Sequence, residues 1–162
     1  MAKTILKVKT KAGIDPAVVH ISGRLDETSK PAVERIASLA AQTIIIDFRG
    51  LNFISSMGIQ HWIALVRSTN GKTLVLRNCP AVFINQVNQI QDMIANCVVE
   101  SFETDFYCET CHMETTTTHR TDSGLAKIKA DSSNIQCQNC GAQLLLEISP
   151  DQYFHFFKFI KT

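Results

Sequence analysis

The sequence predicts an α/β domain with a mixed sheet, followed by a small β module and a closing helix, and three observations carry that reading. Over the first hundred residues, short β-branched and apolar runs alternate with segments of helical period. Two C-x-x-C pairs, Cys108/Cys111 and Cys137/Cys140, then stand 25 residues apart. Finally, Ser149-Pro150-Asp151-Gln152 opens a short aromatic segment. These features divide the chain into units 1–102, 103–148 and 149–162.

The elements of the first unit follow from hydrophobic periodicity. Leu6 and Val8 alternate with Lys7 and Lys9, and Val18, Val19 and Ile21 form a second strand ending at Gly23. The turn-like Ala12-Gly13 between them predicts a hairpin. Pro31 is tolerated in the first turn of a helix, and Ala32, Val33, Ile36, Leu39 and Ala40 recur at helical spacing, so a helix is predicted to about Ala41. Thr43 to Phe48 reads as a central strand, apolar on both faces until Asp47. After a predicted loop Arg49-Gly50-Leu51-Asn52, Ile59, Trp62, Ile63 and Val66 mark a second helix, which Asn70-Gly71 stops. Thr73 to Leu76 is a further strand. Pro80 starts a third helix with Phe83, Val87, Ile90 and Ile94 on one face, and Val98 to Phe102 closes the unit.

Three segments in this unit resemble the STAS family, the anti-sigma-factor antagonists and their relatives. They are Val19-His20-Ile21-Ser22-Gly23-Arg24-Leu25-Asp26, then Asp47-Phe48-Arg49-Gly50-Leu51-Asn52-Phe53-Ile54-Ser55-Ser56-Met57-Gly58-Ile59, then Gly71-Lys72 leading through a strand to Cys79-Pro80-Ala81-Val82. The resemblance implies a bacterial regulatory protein that binds an anti-sigma factor or serine kinase through the loops around Asp26 and Ser55-Ser56-Met57. Ser56 falls where the family carries its phosphorylated serine. Ser55 stands where the family has Asp, and Met57 where it has Ser or Thr. Without the resemblance, Ser55 or Ser56 reads as a helix cap, and Asp26 as a cap of the first helix.

In the second unit the four paired cysteines predict a structural Zn²⁺ site. Four thiolates about 2.3 Å from the ion close its tetrahedron and leave no position for water or substrate. A rubredoxin-like iron site for electron transfer is the competing reading, though Glu109-Thr110 and Gln138-Asn139 lack the Pro and Gly of that family's knuckles. His112 and His119 read as strand or surface residues rather than ligands, and Cys79 and Cys97 as small buried hydrophobes. Thr115 to Thr118, Leu125 to Ala130 and Leu144 to Ile148 are expected to be the three strands, in the manner of a zinc ribbon. In the third unit Ser149 caps a helix whose Tyr153, Phe154, Phe156, Phe157 and Ile160 pack between the modules or form a homodimer surface.

Composition excludes several function classes. With 162 residues, 45% hydrophobic, the chain can bury one good core and a second small one. No apolar run approaches the roughly 18 residues of a membrane span, and MAKTILKVKT does not read as a signal peptide, which predicts a cytoplasmic protein with free thiols. Residues 1–102 carry eleven Lys/Arg against seven Asp/Glu, and residues 103–162 five against eight, giving +4 and −3. The acidic second part lacks the cationic cluster that nucleic acid requires. No catalytic triad signature, P-loop or open metal site is visible, so the expectation is a binding protein and not an enzyme.

Overall fold

The computed structural model describes residues 5–7 and 14–161. Its first sheet has six strands: β1 (Ile5–Lys7), β2 (Ala17–Leu25), β3 (Thr43–Asp47), β4 (Leu51–Ile54), β5 (Thr73–Arg77) and β6 (Cys97–Val99). They run in the order β1-β2-β3-β5-β6, with β4 branching off β2. Strand β1 is antiparallel to β2 and every other pairing is parallel. The predicted hairpin is present, while Val8, Lys9 and the Ala12-Gly13 turn lie outside the described residues.

Helices α1 (Lys30–Ala37), α2 (Ser56–Ser68) and α3 (Ala81–Val87) connect the parallel strands. As the run Thr43 to Phe48 demanded, Ile44, Ile45, Ile46 and Phe48 are all buried. The aromatic centre of this core is Phe48, Trp62 and Phe83, whose ring centroids lie 4.5 to 5.5 Å apart. The Trp62 indole donates to the Met93 carbonyl at 2.7 Å. That bond accounts for one departure from periodicity. The third helix does not run on to Ile94 but ends at Val87, and a 3₁₀ turn at Gln91–Ile94 redirects the chain so that Met93 faces Trp62.

Other predicted segments differ: α1 ends at Ala37 and not about Ala41, and the run Val98 to Phe102 is divided between β6, ending at Val99, and a strand of the second sheet that starts at Ser101. Leu51 and Asn52 are not loop but the start of β4, which pairs with the far end of β2 from Gly23 to Leu25. Leu125 to Ala130 is not a strand but part of α4 (Leu125–Ser132), because Leu-Ala-Lys-Ile-Lys-Ala is built of good helix formers apart from Ile. Its buried Ile128 and Ser132 follow Leu125 at helical spacing.

The second sheet is antiparallel, β8-β7-β9, formed by β7 (Ser101–Tyr107), β8 (Glu114–Arg120) and β9 (Leu145–Leu146). Strand β7 crosses the sequence boundary at 102 without interruption. Helix α5 (Pro150–Tyr153) and a 3₁₀ turn at Phe154–Lys158 follow. Ser149 caps α5 by accepting from the Gln152 amide. The aromatic face is covered by the chain itself: Tyr153, Phe154 and Phe156 are buried in the main core, where Phe102 meets Phe154, Phe156 and Phe157 edge-on.

Candidate functional site

Two places in the fold collect the residues that sequence singled out, a four-cysteine cluster at the end of the second sheet and a pair of loops at the end of β2. The cluster forms because β7 delivers Cys108 and Cys111, while the segment after α4 returns Cys137 and Cys140. Both knuckles share one backbone pattern. The amide of Cys108 donates to Met113 and that of His112 to Cys108, just as Cys137 donates to Ala142 and Gly141 to Cys137. In each, the residue after the second cysteine takes a left-handed conformation, His112 at φ 57° and Gly141 at φ 74°. His112 thus has a turn-forming role and is no ligand of the cluster.

The four Sγ atoms lie within 4.8 Å of one another, with Cys108 to Cys140 and Cys111 to Cys137 each 3.4 Å apart. A tetrahedron of thiolates around a metal at 2.3 Å has edges of about 3.8 Å, so the donor set fits such an ion with small adjustments. The thiols are free. Their electrostatics keep the four from ionising together unaided. The Asn139 side chain, then the Met113 amide, draw the Cys111 thiol down to about 6. Cys140 rises to about 12, for although the Ala142 amide favours its thiolate, the Cys108 contact, burial and the other two cysteines favour the thiol. Four thiolates this close are not tolerated without a positive charge among them.

His119 stands apart from the cluster. It is buried on β8, with Nε2 2.7 Å from the Thr104 hydroxyl and its ring 5.4 Å from that of Phe102. Burial holds its pKa below the ordinary value, against a smaller opposing pull from Asp131. The unfolded chain therefore binds a proton more readily than the folded one, so this group's contribution is complete above about pH 6.5 and is lost as pH falls from there toward the lowered folded pKa. Denaturant titrations between neutral and mildly acidic pH should show stability falling with pH, and His119→Gln should flatten that slope. An unchanged slope in the variant would contradict the assignment.

At the other place, α2 starts against the end of β2. The Ser55 amide donates to the Leu25 carbonyl at 2.9 Å, and its hydroxyl caps α2 by accepting from Gly58 at 3.1 Å. Gly58 is required there, since a Cβ would lie 1.9 Å from the Leu25 oxygen and 3.0 Å from the Asp26 nitrogen. The approach brings the Asp26 loop and the Ser55-Ser56-Met57 turn side by side.

Within the pair of loops, the roles differ. Asp26 is buried and caps the 3₁₀ turn Glu27–Ser29, accepting from the Thr28 amide at 3.0 Å and hydroxyl at 2.7 Å, while its own amide donates to Ser29. The Thr28 hydroxyl first, helped by its amide and by Arg24 at 3.3 Å, holds the Asp26 carboxyl below its ordinary value against the cost of burial. Ser55 is the cap, and Ser56, the first residue of α2, is exposed. Met57 is 43% and Phe53 37% exposed, and the Arg24 guanidinium sits 3.7 Å over the Phe53 ring. Sequence reasoning gave Arg24 and Phe53 no part in this site. An apolar residue two positions before the cap was the available signal.

Among the described residues no helix is long and apolar enough to cross a membrane. No curated protein matches the chain. A solved structure, that of the anti-sigma factor antagonist SpoIIAA in its unphosphorylated form, is similar at 21% identity and a TM-score of 0.43, covering 59% of this chain and 86% of that one. The STAS domain model matches residues 6–91, just over half of the 162. That span holds β1 through α3 and both loops at the end of β2, and by it the chain belongs to the STAS domain family.

Proposed function

We propose that this is a non-enzymatic regulatory protein of the cytoplasm, whose STAS domain binds a partner protein through Asp26, Ser55, Ser56 and Met57, and whose cysteine module holds one structural Zn²⁺. The observation that carries the first part is the exposed Ser56 on the opening turn of α2, next in sequence to exposed Met57, on a turn bonded to the end of β2, where Arg24 covers the exposed Phe53. Singly exposed apolar residues are ordinary, but Met57 and Phe53 on adjoining segments with one hydroxyl and a cation offer a contact surface suited to an anti-sigma factor or a serine kinase.

Of the two serines, Ser55 is committed to its cap, which leaves Ser56 as the acceptor for phosphate. A phosphate there carries a charge of about −1.5 to −2 and gains from the positive end of a 13-residue helix that has no acidic residue in its first turn. The same charge repels an acidic or apolar partner seated on Met57. Ser56→Asp is therefore expected to weaken the complex with a co-purified partner, while Ser56→Ala leaves it intact. Mass spectrometry after incubation with that partner should find phosphate on Ser56. An unmodified Ser56, together with undiminished binding by Ser56→Asp, would reduce the protein to a STAS scaffold in a larger complex.

The zinc assignment rests on a closed set of four thiols in two similar knuckles. The units 1–102, 103–148 and 149–162 serve as the partner-binding domain, the zinc-ribbon-like module and the helix that seals them together. Elemental analysis of the purified chain is expected to give one zinc per molecule. Stoichiometric iron would instead mark an electron-transfer site of the rubredoxin kind.

A further inference from the structure

Among the described residues, strand β8 forms an outer edge of the second sheet, paired with β7 on one side only. The hydrogen bonds Cys108 to Met113 and Thr121 to Glu100 close the two ends of that ladder. Because antiparallel pairs alternate, the backbone groups of Thr115, Thr117 and His119 are then spent on β7. Those of Glu114, Thr116, Thr118 and Arg120 point away from it, toward solvent.

Sheet edges are normally protected by Lys, Pro, a bulge or a covering element. Strand β8 has neither Lys nor Pro, its register with β7 is unbroken, and at its centre stand four consecutive threonines, among the residues best suited to a strand. All but Thr117 of these four are exposed.

Charge selects the occupant. Asp105, Glu114 and Glu147 line a shallow cleft on the solvent face together with Tyr107 and Thr116. Among the described residues, none of the three forms an ion pair with Lys or Arg, whereas Arg120 at the far end is already matched by Glu100 and Asp122. The negative field is felt by the Tyr107 phenol, which Glu109 first, and more weakly Glu147, hold above its ordinary value. An added strand would turn every second side chain onto this face.

We infer that β8 receives, by strand addition, an extended segment of a partner protein with Lys or Arg at alternate positions. Backbone bonds to the outward groups of Glu114, Thr116 and Thr118 supply affinity, and the unpaired carboxylates supply selectivity. This surface lies on a different sheet from the Ser56 loops and does not depend on the switch proposed there.

The test uses the full metal-loaded chain and a labelled, acetylated peptide of alternating Lys and Val as long as β8, with an alternating Glu and Val peptide as counter-probe. Saturable binding of the first alone, weakened by salt, with hydrogen-exchange protection at Glu114, Thr116 and Thr118, is the expected result. Thr116→Pro removes an outward N–H and should weaken binding by about tenfold or more. If that variant does not fold, Glu114→Lys, an exposed position, should still weaken it several-fold. Equal binding of both peptides, no binding of either, indifference to both variants, or protection of β8 by a second copy of the chain would overturn the inference.

Discussion

Replacing Cys137 by Ser is expected to unfold the cysteine end of the second sheet and leave the six-stranded sheet folded. The small core around the cluster consists of Phe106, Cys108, Cys137 and Leu144, with only a few half-buried neighbours. So little apolar burial does not offset the conformational entropy of the segments that carry it, at about 1 to 2 kcal/mol per residue. A metal held by the four thiolates, as proposed, would supply the difference, of order 10 kcal/mol for a four-ligand structural site. The loss should stop short of the module's sequence boundary. Phe102 belongs to the main core, as do Ile128, Tyr153, Phe154 and Phe156, so the start of β7, α4 and the closing helix keep their anchors. Hydrogen exchange should therefore rise from about Phe106 to Met113 and from about Ile135 to Leu144 while α4, α2 and β3 stay protected, and a chelator should reproduce the pattern. Uniform loss of protection over the whole chain, or none, would show that the metal does not hold this region.

How much of this was legible in the sequence depends on whether the signal was local. The run Thr43 to Phe48, the Ser149 cap and the two cysteine pairs are local patterns, and each appears in the fold where its chemistry requires. Strand β4 was not legible because Leu51 to Ile54 lacks a clean alternation, and its pairing with Gly23 to Leu25 depends on β2 being long enough to serve two neighbours. The break after Val87 was hidden because its cause, the Trp62 indole bond to Met93, spans 31 residues of sequence. In Leu125 to Ala130 the alternation of a strand and the composition of a helix disagreed, and composition prevailed once Ile128 had a core to enter. At the loops, sequence placed Ser56 correctly at the helix start, but the division of labour between Ser55 and Ser56 needed the cap bond itself.

Gly58→Ala should be the most damaging single-methyl change in the STAS domain. Helix propensity alone predicts the opposite, a gain of about 1 kcal/mol for Ala over Gly. Geometry overrides it, since the new Cβ would lie 1.9 Å from the Leu25 oxygen and 2.5 Å from its carbon, both backbone atoms that cannot swing aside. Relief requires α2 to move away from β2. That motion breaks the bond from Ser55 to Leu25 and drags Trp62, one turn further along, out of its contacts with Phe48 and Phe83. Overpacking of this kind costs about 3 kcal/mol or more. Because Trp62 is the chain's one tryptophan, urea unfolding followed by its fluorescence reads the site directly. Gly71→Ala is the control. Gly71 has φ 91° but nothing within 4 Å of its missing Cβ, so that change carries only backbone strain, about 1 to 2 kcal/mol. A Gly58→Ala variant as stable as the original, or less affected than Gly71→Ala, would mean that α2 does not approach β2 this closely. The Asp26 loop and Ser56 would then not form one surface, and partner binding should survive the change instead of being lost with it.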